Sequence, residues 1–319
     1  PHKEEAIMFT AGKGRLLALS AVVVGAAIAL SGCASSNPLA TGSAKASGPT
    51  IVVGSQAYYS NTIIAEIYSQ ALEASGFKVN RQFNIGQREV YLPEIEAGKI
   101  DVFPEYIGSL DQQINKDQGK VAPGGSADEV YANLASVLPA GLRVLDKAAA
   151  ADQNSWTVTQ AFQKKYNLTD IASLKNVTEP ITVGGNAELE TRPYGPTALK
   201  QKYGITTAGF KAVQDSGGPL TVKALVDNQI QLANIYTADP NIKSNKLYAL
   251  KDPDHLFFPD NVAPIVSTKV DKTAAGILNK VDAKLSQSDL VNLNSQSVNE
   301  QKQTAAIAKA WLAKVGIVK

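Results

Sequence analysis

Residues 51–83, IVVGSQAYYSNTIIAEIYSQALEASGFKVNRQF, pass from strand to helix and back to strand in one short span. Ile51-Val-Val-Gly54 is an apolar run that ends in glycine. From Ser60 to Ala74 apolar residues recur at helical spacing, namely Ile63, Ile64, Ile67, Tyr68, Ala71 and Leu72, and Gly76 stops the run. Phe77, Val79, Arg81 and Phe83 alternate as a second strand. Tyr91 to Ala97 reads as a short helix and Ile100-Asp-Val-Phe103 as a third strand. This β-α-β-α-β succession opens a doubly wound sheet, so the fold class is α/β.

Downstream, Ala122-Pro-Gly-Gly125 breaks the chain before a helix from about Ala127 to Leu138, and Leu142-Arg-Val-Leu145 is another strand. Beyond the low-complexity patch Ala148–Ala151 the βα theme restarts. Ser155-Trp-Thr-Val-Thr159 and Ile181-Thr-Val-Gly184 read as strands, and the second echoes Ile51-Val-Val-Gly54. Helices near Thr197–Lys202 and Leu220–Asn228 bracket a strand at Phe210–Val213. Ile230–Tyr236 is a further strand. Leu247–Leu250 and Ala263–Val266 follow, and helical stretches near Lys272–Lys284, Ser286–Ser295 and Glu300–Lys314 end the chain. Two βα series and a helical tail predict two lobes, the second inserted into the first. The expected limits are 50–151 with 239–319 for the first lobe and 152–238 for the second.

Residues 1–32 read as a signal peptide, with Met8, the only methionine, as the expected start. Lys13 and Arg15 precede an apolar run, Leu16–Leu30, of 15 residues. A bilayer core needs about 20. Leu30-Ser-Gly-Cys33 resembles the bacterial lipobox, which implies cleavage before Cys33 and a lipid on its thiol. Cys33 is the only cysteine, so a disulfide within the chain is excluded. Residues 33–49 are Ala, Ser, Gly, Thr and Pro with few large apolar side chains, and read as a flexible tether to the outer face of the cytoplasmic membrane. From Thr50 onward about 270 residues remain, enough for two cores. The net charge of +2 carries no basic block, so nucleic acid is not an expected partner.

Catalytic residue types are scarce. The chain has two histidines, His2 in the leader and His255 in a polar Asp-Pro-Asp-His loop. No phosphate loop, nucleophile elbow, zinc motif or calcium loop is present, so no metal or cofactor is expected and no enzyme is read. Paired carboxylates, which distances alone can judge, are the one scheme left open. Aromatic residues at strand ends are more suggestive. Tyr106 follows the third strand, Tyr236 ends another, Trp156 lies on the strand that crosses between lobes, and Tyr58 and Tyr59 follow the first strand. Converging ring faces can hold a quaternary ammonium; each ring alone reads rather as a core or rim residue of its own lobe, and the recurrence at strand ends is what favours a cage. Arg192, just before a helix starting near Pro196, suits a carboxylate or pairs with Glu188 or Glu190. Gln56 is a polar contact in the first βα loop or a solvated turn residue.

At these residues the chain resembles the osmoprotectant-binding proteins of ABC importers for glycine betaine, choline and carnitine. Gly98-Lys-Ile-Asp-Val-Phe-Pro-Glu-Tyr-Ile-Gly108 carries the most specific likeness. Ile51–Gln56 with Ile64–Leu72, Asp215–Leu225, Tyr236–Asp239 and Phe257–Pro264 add to it. The resemblance implies a type II periplasmic-binding-protein-like clamshell, bilobal, with two interlobe crossings. It implies a monomeric, extracytoplasmic lipoprotein that captures a glycine betaine-like solute and delivers it to its permease. By position, Tyr106, Trp156 and Tyr236 match cage aromatics and Ser109 a hydrogen-bonding threonine. Gln56 matches a Lys/Gln position, and Arg192 a carboxylate-binding one. Ile107 and Val222 depart from the family, Val222 where a further cage tyrosine is usual. Tyr58, Tyr59 or Tyr194 is then the expected replacement wall. A larger or aromatic betaine, an amino-acid derivative, or a scaffold or adhesin lipoprotein are the alternatives.

Overall fold

The computed structural model describes residues 49–318. The expected signal peptide, Cys33 and almost all of the tether lie outside the described residues. Strand β1 (Ile51–Gly54), helix α1 (Tyr59–Ala74), β2 (Val79–Gln82), α2 (Arg88–Glu96), β3 (Val102–Tyr106), α3 (Ile107–Asp117), α4 (Ala127–Val137) and β4 (Leu142–Val144) build one lobe. The chain then crosses to β5 (Asn154–Thr159), α5 (Gln160–Tyr166), β6 (Thr182–Gly185), α6 (Pro196–Tyr203), β7 (Gly209–Ala212), α7 (Pro219–Val226), β8 (Leu232–Tyr236), α8 (Asn241–Ser244) and β9 (Leu247–Ala249). It returns for β10 (Val262–Ser267) and three helices, α9 (Lys272–Asp282), α10 (Gln287–Val298) and α11 (Thr304–Lys314). The first sheet has the order β2-β1-β3-β10-β4 and the second β7-β6-β8-β5-β9. In each, four strands run one way and a single strand, β10 in the first sheet and β5 in the second, runs against them.

Each sheet is covered on both faces, and each face carries its own apolar cluster. Helix α1 is buried nearly all round, because Ile63, Ile64, Ile67, Tyr68 and Leu72 meet β1 and β3 on one side and α9, α10 and α11 on the other. Tyr91, Ile95, Phe103, Leu110 and Ile114 fill the opposite face with α4. In the second lobe Trp156, Val158, Val183, Leu199 and Leu232 form one layer, and Val222, Leu225, Ile230 and Ile235 the other. Val222 is thus a core residue of α7.

The second lobe ends later than the sequence pattern suggests. Asp239 was the expected return point, but Leu247–Ala249 pairs with β5, and Leu250, Leu256 and Phe257 pack in the second core. The chain does touch the first lobe at 237–239, where Asn294 Nδ2 donates to the Ala238 carbonyl. It then goes back for one more strand. The true crossings are the segments between β4 and β5 and between β9 and β10. They run side by side, bridged at Ala151↔Asn261, with the Asp152 amide donating to the Asp260 carbonyl.

Helix α3, beginning directly after β3, carries Ile107, Leu110 and Ile114 at helical spacing, a signal the sequence reading passed over. Its first turn is capped from the second crossing. The Ser109 amide and hydroxyl donate to Asp260 Oδ1 and Oδ2 at 2.7 and 2.6 Å. Gly108 is required there by contact with that crossing. A Cβ on it would lie 2.6 Å from the Pro259 carbonyl oxygen and 2.7 Å from Phe258 Cβ. Gly108→Ala should therefore cost about 1–3 kcal/mol of stability in chemical denaturation. A change within about 0.5 kcal/mol would show that the crossing yields freely.

Candidate functional site

A small cavity lies between the lobes, at the point where both crossings meet the strand ends. Gln56, Arg88, Tyr106, Ser109, Asp152, Asn154, Arg192, Tyr194, Tyr236 and Asp260 line it, and they leave about 10 Å³, roughly one water's room. The lobes are thus closed upon one another here. An open groove of about 870 Å³ runs alongside, lined by Lys116, Lys120, Lys202, His255 and Phe258 among others, and meets the cavity only at Arg192. The buried, convergent polar groups are in the smaller space, and it is the candidate site.

The first lobe supplies one wall. Strand β3 pairs with β1 only at Val53↔Val102, so at Pro104 that side carries no strand, and Asn61 Nδ2 takes its carbonyl at 2.8 Å. A proline is tolerated there because no ladder bond is asked of it. Glu105 and Tyr106 follow, with Tyr106 at the cavity. Glu105 is buried and pairs with Arg88 through two bonds of 2.9 and 2.8 Å, and Tyr91 donates to it at 2.6 Å. Gln56, beside Tyr91, is buried at the rim of the same wall.

The second lobe brings Asn154 at the start of β5, Tyr236 at the end of β8 directly opposite it, and Tyr194 before α6. Arg192 is buried between the lobes. It pairs with neither Glu188 nor Glu190, the partners the sequence offered. Its Nε and one terminal nitrogen reach Glu89 Oε1 and Oε2 of the first lobe, each at 3.2 Å. Lys116 Nζ donates to the Thr191 carbonyl, and Gln87 Nε2 and the Ala57 carbonyl both meet Ser216 Oγ, so several contacts hold the cleft shut.

Five expected site residues therefore meet here: Gln56, Tyr106, Ser109, Arg192 and Tyr236. Two do not. Trp156 shares the face of β5 with Asn154 but lies two residues farther in, about 6.6 Å. There it packs 6.0 Å from Phe257 in the second core. Because β5 enters its lobe from the crossing, its first residue, and not its middle, faces the cleft. Tyr59 donates to Asp239 Oδ2 at 2.9 Å and stacks edge-on to Tyr58, outside the cavity. Of the candidate replacement walls, Tyr194 is the one that lines the cavity. Arg88, Asp152, Asn154 and Asp260 are lining residues that the sequence reading missed.

Electrostatics sets this cavity apart. Asp152 accepts from the Tyr58 hydroxyl at 2.7 Å and from the Ala238 amide at 2.8 Å. Burial nonetheless pushes its carboxyl up to about 7. Burial likewise raises Asp260 to about 6 against the pull of its Ser109 bonds. The Tyr106 hydroxyl and Asn154 Oδ1 are buried at the cavity with no partner, and a buried polar atom left so needs an explanation. Among the described residues no cluster of His, Cys, Asp and Glu suits a metal, and no helix is long and apolar enough to cross a membrane.

Residues 49–314 match the profile of a family described as the substrate binding domain of ABC-type glycine betaine transport systems. The chain is 25% identical over 317 residues to the carnitine transport binding protein OpuCC of Listeria monocytogenes, covering 95% of this chain and 97% of that protein. It is 24% identical over 281 residues to the glycine betaine-binding protein YehZ of Escherichia coli (strain K12), covering 84% and 92%. A crystal structure of a glycine betaine/carnitine/choline ABC transporter protein aligns with a TM-score of 0.67 at 19% identity, over 84% of this chain and 99% of that one.

The raised Asp152 carboxyl makes stability depend on pH. Its folded value of about 7 lies above an unfolded value of about 3.9, so the fold holds the proton more tightly than the unfolded chain does. That contribution is complete below about pH 4 and is lost as pH rises through about 7. Relative to Asp152→Asn, the parent should lose stability across that window in urea denaturation, and no further above it. Parallel curves for the two proteins would show that Asp152 titrates ordinarily in the fold.

Proposed function

Because the chain belongs to the family of substrate-binding domains of ABC-type glycine betaine transport systems, we propose that it captures a quaternary-ammonium solute between its two lobes and delivers it to an ABC permease. The bilobal α/β clamshell of type II binding proteins is its fold, and binding, not catalysis, is the role of the family. The observation that supports the ligand class is the closed cavity. Three tyrosines, Tyr106, Tyr194 and Tyr236, line it together with the buried Asp152 and Asp260. Ring faces attract a diffuse cation that has no hydrogen to donate, and nearby carboxyl groups add attraction for its positive charge; a trimethylammonium group is such a cation. The two relatives named for carnitine and glycine betaine support the same class.

The lobes perform the capture by closing. Contacts between the lobes, such as those at Ser216 and Arg192, belong to the closed form, and bound solute shifts the population toward it by the contacts it makes with both lobes at once. The lobes must part to admit solute and stand wider around it than they do here, since the cavity as closed has room for little more than a water.

Isothermal titration with choline, glycine betaine and carnitine tests the reading. Alanine at Tyr106, Tyr194 or Tyr236 should weaken the bound ligand by about tenfold, while phenylalanine at each should retain most affinity, because the ring face carries the attraction. Trp156→Ala should act differently and lower stability by about 3–5 kcal/mol, as for a core ring. Alanine variants that bind a trimethylammonium ligand as tightly as the parent would rule the cage out.

Anchoring of the mature chain by a lipid on Cys33, on the outer face of the cytoplasmic membrane, is part of the same proposal. It rests on the Leu30–Cys33 lipobox. In a bacterium with lipoprotein processing, Cys33→Ser should leave the precursor uncleaved at that site. Normal cleavage before residue 33 in the variant would rule the anchor out.

A further inference from the structure

Both arginines of the cavity are already neutralised, and each has its own glutamate. Arg88 makes its two bonds to Glu105 within the first lobe. Arg192, from the second lobe, presents the two-pronged edge of its guanidinium to Glu89 at the start of α2 in the first. The Arg192 nitrogen outside that pair faces the Tyr194 hydroxyl at 3.4 Å. Burial disfavours the Glu89 carboxylate, but its bonds to Arg192 outweigh this and hold it below the usual range. The two aspartates of the cavity have no such partner. Among the described residues neither Asp152 nor Asp260 joins any ion pair. The closed cavity therefore has acidic groups in excess.

We propose that Glu89 is a specificity residue: by occupying Arg192 as the lobes close, it denies the ligand's carboxylate its counter-ion and selects a net-cationic quaternary ammonium that carries a hydroxyl. This rests on the quaternary-ammonium reading above and narrows it. A zwitterion such as glycine betaine brings one negative charge into a site that already holds excess acid, and it must displace Glu89 to find a bidentate partner. An alcohol brings no such charge.

The orphan atoms point the same way from a separate observation. Asn154 Nδ2 donates to Ser109 Oγ at 2.9 Å and faces Asp260 Oδ2 at 3.4 Å. An acceptor-only carboxylate on that side fixes which end of the amide is which. Asn154 Oδ1 is then a buried acceptor without a donor. Glycine betaine has no hydrogen to donate to it, and the hydroxyl of a choline-like molecule does. The Tyr106 hydroxyl, also without a partner, can accept or donate.

Choline and glycine betaine are the probes, titrated by calorimetry into the parent chain, Glu89→Gln and Glu89→Ala at one pH and ionic strength. Glu89 is about one-third exposed on the first turn of its helix, and a thermal melt confirms that each variant folds. The parent should bind choline on the order of tenfold more tightly than glycine betaine. In both variants the ratio should shrink by on the order of tenfold, chiefly because glycine betaine binds more tightly once Arg192 is free. The ratio cancels any common cost of loosening the closed form. A ratio that stays constant while both affinities fall makes Glu89 a latch and overturns the inference. So does a parent that prefers glycine betaine, although the quaternary-ammonium reading then stands. Failure of the parent to bind either probe removes that reading, and the inference with it.

Discussion

Two buried carboxylates, Asp152 and Asp260, sit on adjacent crossing segments, and the site is organised by the need to satisfy them. The crossings run antiparallel and touch at Ala151↔Asn261, which places these aspartates at one point between the lobes. A carboxylate taken from water costs several kcal/mol unless donors surround it. The donors come from both sides. Asp152 draws on Tyr58, which leads into α1, and on Ala238 after β8. Asp260 draws on Ser109 in the first turn of α3 and on Asn154 at the start of β5. The helix ends, the hinge and the cavity wall are thus parts of one hydrogen-bonded arrangement, and the ring of Tyr236, 4.8 Å from Tyr58, lies against it.

The two arginine pairs of the cleft do different jobs, although their chemistry is alike. Arg88–Glu105 joins α2 to β3 within one lobe and persists whichever way the lobes stand. It fixes the backbone of Tyr106, whose amide donates to Glu105 Oε2 at 2.9 Å. Arg192–Glu89 spans the cleft, so it forms only on closure. An ion pair with one partner buried and the other one-third exposed gains little over its desolvation cost, so this contact alone is a weak reason for the lobes to shut. The weight of closure then falls on whatever fills the space among the tyrosines, as a capture device requires.

Local patterns in the chain were enough for much of this. The alternation of apolar runs and helical spacing from Ile51 to Phe103 foretold β1, α1, β2, α2 and β3, and Tyr106, Tyr236 and Gln56 stood out because each lies at or just beyond the end of a strand. What escaped depended on long-range pairing. Asp152 meets Asp260 through an antiparallel crossing that no periodicity records, and Arg192 meets Glu89 across 103 residues, while its nearer acids, Glu188 and Glu190, do not pair with it. Trp156 was misplaced because strand direction decides which residue reaches the cleft, and direction is a property of the sheet. The expected boundary at Asp239 erred for a related reason. The chain visits the first lobe at Ala238 without leaving the second, and only the pairing of β9 with β5 reveals the return. Helix α3 is the exception, since Ile107, Leu110 and Ile114 give its spacing locally and only the acceptor of its first turn, Asp260, lies far along the chain.

The Gly98–Gly108 motif gains a physical meaning from these contacts. Gly98 closes α2 with a positive φ of 69°, a conformation that favours glycine. Asp101 accepts from the Val52 amide at 2.9 Å and from Ser267, which ties β3 between its neighbours. Pro104 sits where β3 has no strand on its β1 side, Glu105 holds Arg88, Tyr106 faces the cavity, and Gly108 lets the second crossing pass at contact distance. Each residue type is thus set by a different constraint: a backbone angle, a sheet bond, a missing donor, a buried charge, a ring and a lack of volume. A motif of this kind identifies a scaffold more firmly than a solute. The solute is decided elsewhere, by residues such as Glu89 and Asn154 that set the charge and the unpaired acceptor of the closed cavity.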